Sequence, residues 1–165
     1  MLGRHLMRMQ KILPDDYNFF PTSYMLPHDY KDFWNETQGK NPRTFIVKPE
    51  DQCQGKGIFL MRDPDLVKPS DQVVVQKYLH KPHLIDGYKY DLRIYVLVNG
   101  VNPLRVYVYK DGLARFATEK YKKPDDKNID NQCMHLTNYA INKASENFVQ
   151  NTGVNADDVG SKRSL

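Results

Sequence analysis

The stretch from Phe45 to Leu60 constrains this chain more than any other, and it reads as strand, glycine-bearing loop, strand. Phe45, Ile46 and Val47 favour extended backbone, as do Ile58 and Phe59. Lys48 lies where the first strand runs out. Pro49 biases it toward extended geometry, so its ammonium is carried on a stiff element. Gly55 and Gly57 permit backbone shapes that bring N–H groups close to an anion. A strand lysine followed by such a loop suits a nucleotide phosphate. It is not a P-loop, because Lys56 is followed by Gly57 rather than Ser or Thr, and no dinucleotide fingerprint accompanies it. A surface hairpin with solvated lysines would satisfy the same residues.

The 165 residues suit one domain. With 27% charged and 40% hydrophobic residues, the composition is that of an ordinary soluble protein. A net charge of +4 does not compel nucleic acid binding, but a mildly basic surface speeds encounter with an acidic protein. Cys53 and Cys133 give neither a disulfide framework nor zinc spacing, which favours a reducing, cytoplasmic compartment. No apolar run approaches the ~20 residues of a membrane span, and the first six residues lack an apolar signal core.

Along the chain, Leu2, Leu6, Met9 and Leu13 recur at helical spacing and predict a short amphipathic packing helix ending near Pro14. Residues 15–43 read as irregular, punctuated by proline and anchored by aromatic side chains, with a helical turn at Asp29 to Trp34. After a turn-rich connector, Val73, Val74 and Val75 predict a strand buried on both faces. It ends in Gln76, Lys77, Tyr78 and Leu79, where backbone groups at the strand end can meet an adenine edge or simply leave the sheet. Asp86-Gly87 marks a turn. The strand from Tyr88 to Val98 then places Lys89, Asp91 and Arg93 on one face. These three form a solvated ion ladder, or Lys89 and Arg93 line a phosphate site while Asp91 orients them or contacts a ribose. Asn99-Gly100 and Asp111-Gly112 predict two further turns, giving strands at Leu104–Tyr109 and Leu113–Ala117. Arg115 is a candidate for a substrate carboxylate or a transferred phosphate, with a solvated arginine as the alternative. Residues 119–131 read as a mobile, solvated loop, and lone His135 as structural. The tail from Ala144 is polar.

In their order, Lys48 with Gln54-Gly55-Lys56-Gly57, Gln76-Lys77-Tyr78-Leu79, Ile85 to Val98, Gly112 to Ala117 and His135-Leu136-Thr137-Asn138-Tyr139 resemble the tubulin–tyrosine ligase-like family. The likeness runs from about Leu6 onward and is greatest to its chain-elongating polyglutamylase branch. It implies a catalytic domain of ATP-grasp type. By this resemblance Lys48, Gln54 and Gly55 hold ATP phosphates, and Gln76, Lys77, Tyr78 and Leu79 form the adenine hinge. Lys89, Tyr90 and Asp91 line the nucleotide, Arg93 serves catalysis near the reacting phosphate, and Thr137 and Asn138 close the nucleotide site. Arg115, Tyr139 and Lys143 bind the incoming glutamate. The family's reaction phosphorylates a carboxylate with ATP, and the amine of a free amino acid attacks the acyl-phosphate. Such a reaction needs cations on developing phosphate charge and an oriented amine more than a protein nucleophile. The family's Mg2+ ligands match no segment before Leu165, so the domain is expected to be incomplete. Ala140 stands where the family commonly has serine after the tyrosine, and one hydrogen bond to substrate is lost there.

The expected fold is therefore α+β, a largely antiparallel ATP-grasp-like sheet with flanking helices. Residues 1–44 form a lead-in, 45–118 the central sheet and 119–165 a loop and the start of a C-terminal lobe. The expected function is ATP-dependent addition of glutamate to tubulin tails. The expected partners are tubulin or microtubules and free L-glutamate, without nucleic acid or membrane. The expected state is a monomer on the cytoskeleton, including cilium or basal body. The alternatives are a related glycine or tyrosine ligase and a non-catalytic microtubule-binding module.

Overall fold

The computed structural model describes residues 2–39, 43–150 and 160–165. It divides into two units, one of residues 1–81 with 124–130 and one of residues 82–123 with 131–165.

In the first unit, helix α1 (Leu2–Ile12) is followed by β1 (Ser23–Met25), α2 (Tyr30–Thr37), β2 (Phe45–Pro49), β3 (Phe59–Met61) and β4 (Val73–Lys77). The strands pair antiparallel in the order β1-β4-β2-β3. Alternation sends Tyr24, Phe45, Val47, Met61 and Val75 to one face, where they enclose Phe33 of α2. The Phe33 ring is fully buried and meets Tyr24 and Phe45 edge-on at 5.7 and 5.5 Å. The opposite face carries Ser23, Ile46, Lys48, Val74 and Gln76.

Four expectations change here. Residues 15–43 contain β1 and an eight-residue helix, so the proline punctuation separates elements rather than excluding them. Only Val75 of the three valines is buried: Val73 lies on the Phe33 face at the edge of the core, and Val74 takes the opposite face, which is only partly covered. Helix α1 ends as predicted but buries none of its residues, and Leu2 and Ile12 are 73% and 60% exposed. The loop after residue 120 is anchored rather than mobile. Arg62 donates to Asp126 at 2.9 Å and also to the carbonyl of Pro124, whose ring is buried.

The second unit contains β5 (Leu84–Ile85), β6 (Tyr88–Val101), β7 (Leu104–Lys120), α3 (Gln132–His135), α4 (Tyr139–Asn142) and β8 (Lys162–Ser164). Its sheet has the order β5-β6-β7-β8 and is again antiparallel. The strands expected to form one sheet thus fall into two four-stranded sheets. Pro82 lies in the connection between β4 and β5, where a residue without an N–H cannot extend a ladder.

Asp86 and Gly87, at φ 54° and 82°, make the predicted two-residue turn. The other two turn signals serve a different purpose. Asp111-Gly112 lies inside β7. Between the pairs Ile94↔Gly112 and Val96↔Val108, three residues of β7 face one of β6, so the signal marks a bulge. Asn99-Gly100 is likewise a bulge, with Gly100 at φ 103°, and the chain reverses at Asn102-Pro103. β6 and β7 therefore form one long hairpin in place of three strands. β8, unanticipated in the polar tail, pairs with β7 at Leu113–Arg115. Residues 151–159 of that tail lie outside the described residues.

Candidate functional site

The sequence-predicted site residues divide between the two units. In the first, the glycine loop joins β2 to β3. Gln54 and Gly55 adopt φ 59° and 86°, closed by a hydrogen bond from Lys56 N to Cys53 O at 3.1 Å. Gly57 follows at φ 67°, and a Cβ there would stand 3.0 Å from Pro49 Cγ. Two glycines and one left-handed glutamine are thus what this loop requires. Lys48 is half-buried on β2, and its Nζ donates to Gln76 Oε1 at 2.8 Å. Burial lowers its pKa from the usual lysine value. No carboxylate among the described residues pairs with it. A partly desolvated ammonium held by a neutral amide retains its charge for an anion, so the residues present fit a phosphate group.

The strand end at 76–79 is more committed than the sequence indicates. Lys77 N donates to Thr22 O and Tyr78 N to Thr44 O, both at 2.9 Å, and the Tyr78 side chain is buried. Leu79 is 62% exposed. Gln76 contributes its side chain, to Lys48, rather than only a backbone edge.

In the second unit Asp91 is the hub. Arg115, its cross-strand partner, donates from Nε to Oδ1 at 2.7 Å and from Nη2 to Oδ2 at 2.8 Å. Thr137 Oγ1 donates to the same Oδ2 at 2.6 Å. Of the two readings of Lys89, Asp91 and Arg93, the internal ion ladder gives way to an Asp91–Arg115 fork across the hairpin, a stronger geometry than a row of like-facing charges. Lys89 Nζ donates to the His135 carbonyl at 2.7 Å, and the His135 side chain is fully buried. Arg93 is exposed, with no ion pair to another described residue. Tyr90 stacks on Phe116 at 5.5 Å and its hydroxyl meets His83 Nδ1 at 3.0 Å.

Tyr139 and Lys143 lie together, with the Lys143 ammonium 5.9 Å from the ring centroid. Lys162, opposite Arg115 in the β7–β8 register, places its own ammonium 3.5 Å over the same ring. A cavity of about 330 Å³ opens there, with Tyr139, Phe148 and Lys162 in its wall. A larger one of about 760 Å³ in the same unit, against Tyr88, Phe116 and Arg163, contains none of the predicted site residues.

Sequence reasoning missed three contributors. Ser23 accepts from Gln76 Nε2 at 2.7 Å, and no motif surrounds it. Lys162 sits in a tail with no strand signature. Asn142, buried on α4, accepts from Thr118 N and Oγ1 at 2.9 and 3.0 Å and donates to Leu136 O and Asn138 O. It holds the segment carrying Thr137 and Asn138 against β7. Its place four residues after Asn138 was the only available signal. Among the described residues no group of three or more His, Cys, Asp or Glu side chains could hold a metal ion, and no helix is long and apolar enough to cross a membrane.

The family model described as tubulin-tyrosine ligase family matches residues 1–165. Among curated proteins, a probable beta-tubulin polyglutamylase of Tetrahymena thermophila is 55% identical over 99% of this chain and 14% of its own length. Tubulin polyglutamylase TTLL13 of Homo sapiens is 50% identical over all of this chain and 20% of its own length. Tubulin polyglutamylase ttll6 of Danio rerio is 48% identical over all of this chain and 21% of its own length. The chain thus spans about a fifth or less of the curated relatives it matches. The order of lysine strand, left-handed glycine loop, Asp91 fork and Thr137-Asn138 segment agrees with a match that leaves no residue uncovered, and the chain belongs to the tubulin-tyrosine ligase family.

Proposed function

We propose that this chain is the nucleotide-handling part of an ATP-dependent ligase of ATP-grasp type that adds glutamate to tubulin tails. The observation that carries the reading is Lys48. It is a half-buried ammonium on β2 with a lowered pKa and a neutral partner, next to a loop of left-handed residues. The names of the relatives, tubulin polyglutamylases, support the substrate class.

In this reading, ATP supplies the phosphoryl group that activates a carboxylate. In the first unit Lys48, Gln54 and Gly55 bind phosphate oxygens. Adenine recognition falls to the backbone of the Gln76–Leu79 strand end, with Leu79 N–H as its donor, since Lys77 and Tyr78 donate theirs to Thr22 and Thr44. In the second unit Lys89, Tyr90, Asp91, Thr137 and Asn138 act on the nucleotide, with Arg93 as the exposed cation for developing phosphate charge. Tyr139, Lys143 and Arg115 receive free glutamate, and Lys162 joins them as a further cation. The fork of Asp91 fixes the Arg115 plane for a substrate carboxylate. The family resemblance calls for Mg2+, which one or two carboxylates and the ATP phosphates would hold; among the described residues no group of three or more His, Cys, Asp or Glu side chains lies together. The acceptor is tubulin, which places the protein on the cytoskeleton, with cilium or basal body as the narrower location, and the protein acts as a monomer.

The test uses the full-length protein, labelled glutamate and purified tubulin. Incorporation is expected to require ATP and to fall about 100-fold in Lys48→Ala, the size typical of removing one charge-stabilising donor. Incorporation untouched by Lys48→Ala would sink the site assignment. Microtubule co-sedimentation without any ATP turnover would favour a binding module instead.

A further inference from the structure

Lys48 belongs to a chain of hydrogen bonds whose polarity is fixed at its far end. Ser23 Oγ donates its one proton to Pro21 O at 2.8 Å. Its oxygen can then only accept, and it accepts from Gln76 Nε2 at 2.7 Å. That contact forces the Gln76 carbonyl oxygen toward Lys48, whose Nζ lies 2.8 Å away. With the amide reversed, an NH2 group would face an ammonium. Ser23 and Gln76 are directly opposite in the β1–β4 register, and Gln76 lies diagonal to Lys48 across β4 and β2. From the neighbouring strands this face presents Ser23 and Met25 of β1, Leu60 of β3, and Val74 and Gln76 of β4, none of them charged. Helix α1 packs on the same side against Met25 and brings Arg4, Arg8 and Lys11, cations that cannot neutralise an ammonium, with His28 and with Asp29, which accepts from the Met25 N–H. We propose that Ser23 and Gln76 are positioning residues: the hydroxyl sets the orientation of the Gln76 amide, and the amide aims the Lys48 ammonium without neutralising it. An amide serves where a carboxylate cannot, because Glu at 76 would pair with Lys48 and compete with an incoming phosphate. The inference deepens the nucleotide reading and rests on it for the identity of the anion.

Two readouts on the full-length protein keep the two claims apart. Competitive amine labelling followed by mass spectrometry gives the pH dependence of Lys48 reactivity without nucleotide. Calorimetry gives ATP affinity. In Ser23→Ala the Lys48 titration is expected to move further down, because the burial is no longer offset by a fixed acceptor. ATP affinity is expected to fall about three- to tenfold, the range for disturbing a hydrogen bond to a charged group. Ser23→Thr keeps a hydroxyl and restores both. Gln76→Glu moves the titration up while ATP binding weakens. If Ser23→Ala leaves Lys48 reactivity as in the wild type, the positioning role is overturned whatever happens to ATP. If the titration shifts as expected but the wild type binds no ATP, the relay stands and the nucleotide reading falls.

Discussion

A single lysine on a strand end carries most of the chemistry argued above, and its titration gives a test at the residue scale. The folded pKa of Lys48 lies below the ordinary value of 10.5, so the native state binds this proton less readily than the unfolded chain. Burying the charge therefore costs stability at pH values below the folded pKa. That cost fades as pH rises through the folded pKa toward 10.5. Lys48→Met is expected to raise the urea midpoint at neutral pH, with the advantage shrinking at alkaline pH. An advantage independent of pH would point to packing alone. Asp91 invites a second substitution. Asp91→Asn turns a two-pronged ionic contact with Arg115 into a single neutral one. The expected loss is about 1–2 kcal/mol in urea unfolding, with a raised KM for glutamate. An unchanged KM would mean that the fork is structural only.

At the scale of elements, the same residue types carry different structural weight. Gly57 sits at φ 67° with Pro49 Cγ at 3.0 Å from a would-be Cβ, so Gly57→Ala meets both a backbone and a steric penalty. It should cost about 1–2 kcal/mol and distort the loop, read as a lower melting temperature together with weaker ATP binding. Asn142 is the staple of the α3–α4 segment. Asn142→Ala leaves the buried Thr118 N–H and the Leu136 carbonyl without their partner. A loss of about 2–3 kcal/mol by denaturant titration is expected, and a loss under half of that would show that the segment is held by other contacts. Asp111-Gly112 and Asn99-Gly100 teach the converse lesson. Both pairs read as hairpin turns, yet Gly100 uses its positive φ in a bulge, and Gly112 is required in its own because a Cβ would stand 2.5 Å from the Arg93 carbonyl oxygen. Only the pairing of β6 with β7 decides between turn and bulge.

For the whole molecule, burial is uneven. Val47 and Val75 are completely buried, whereas Val96, Val98, Val106 and Val108, toward the far end of the β6–β7 hairpin, are 53%, 55%, 49% and 65% exposed. Amide exchange is expected to be slower by several orders of magnitude at Val47 and Val75 than at these positions, because local opening there breaks few apolar contacts. Equal protection at Val47, Val75 and these four valines would contradict that. The sequence alone determined the lysine strand and its glycine loop, the Asp86-Gly87 turn, the antiparallel α+β character and the family. Each of these is written in local preference or in the order of short motifs, which need no knowledge of distant partners. Tertiary structure alone decided that the strands form two sheets, that Arg115 closes on Asp91, and that Ser23, Lys162 and Asn142 join the candidate sites. These facts depend on which strand lies beside which, and on where single protons go across contacts as long as 53 residues in sequence. Periodicity tells a side chain which face to take, but the partner it finds there is fixed by pairing register and by the cost of leaving a buried polar group unmatched.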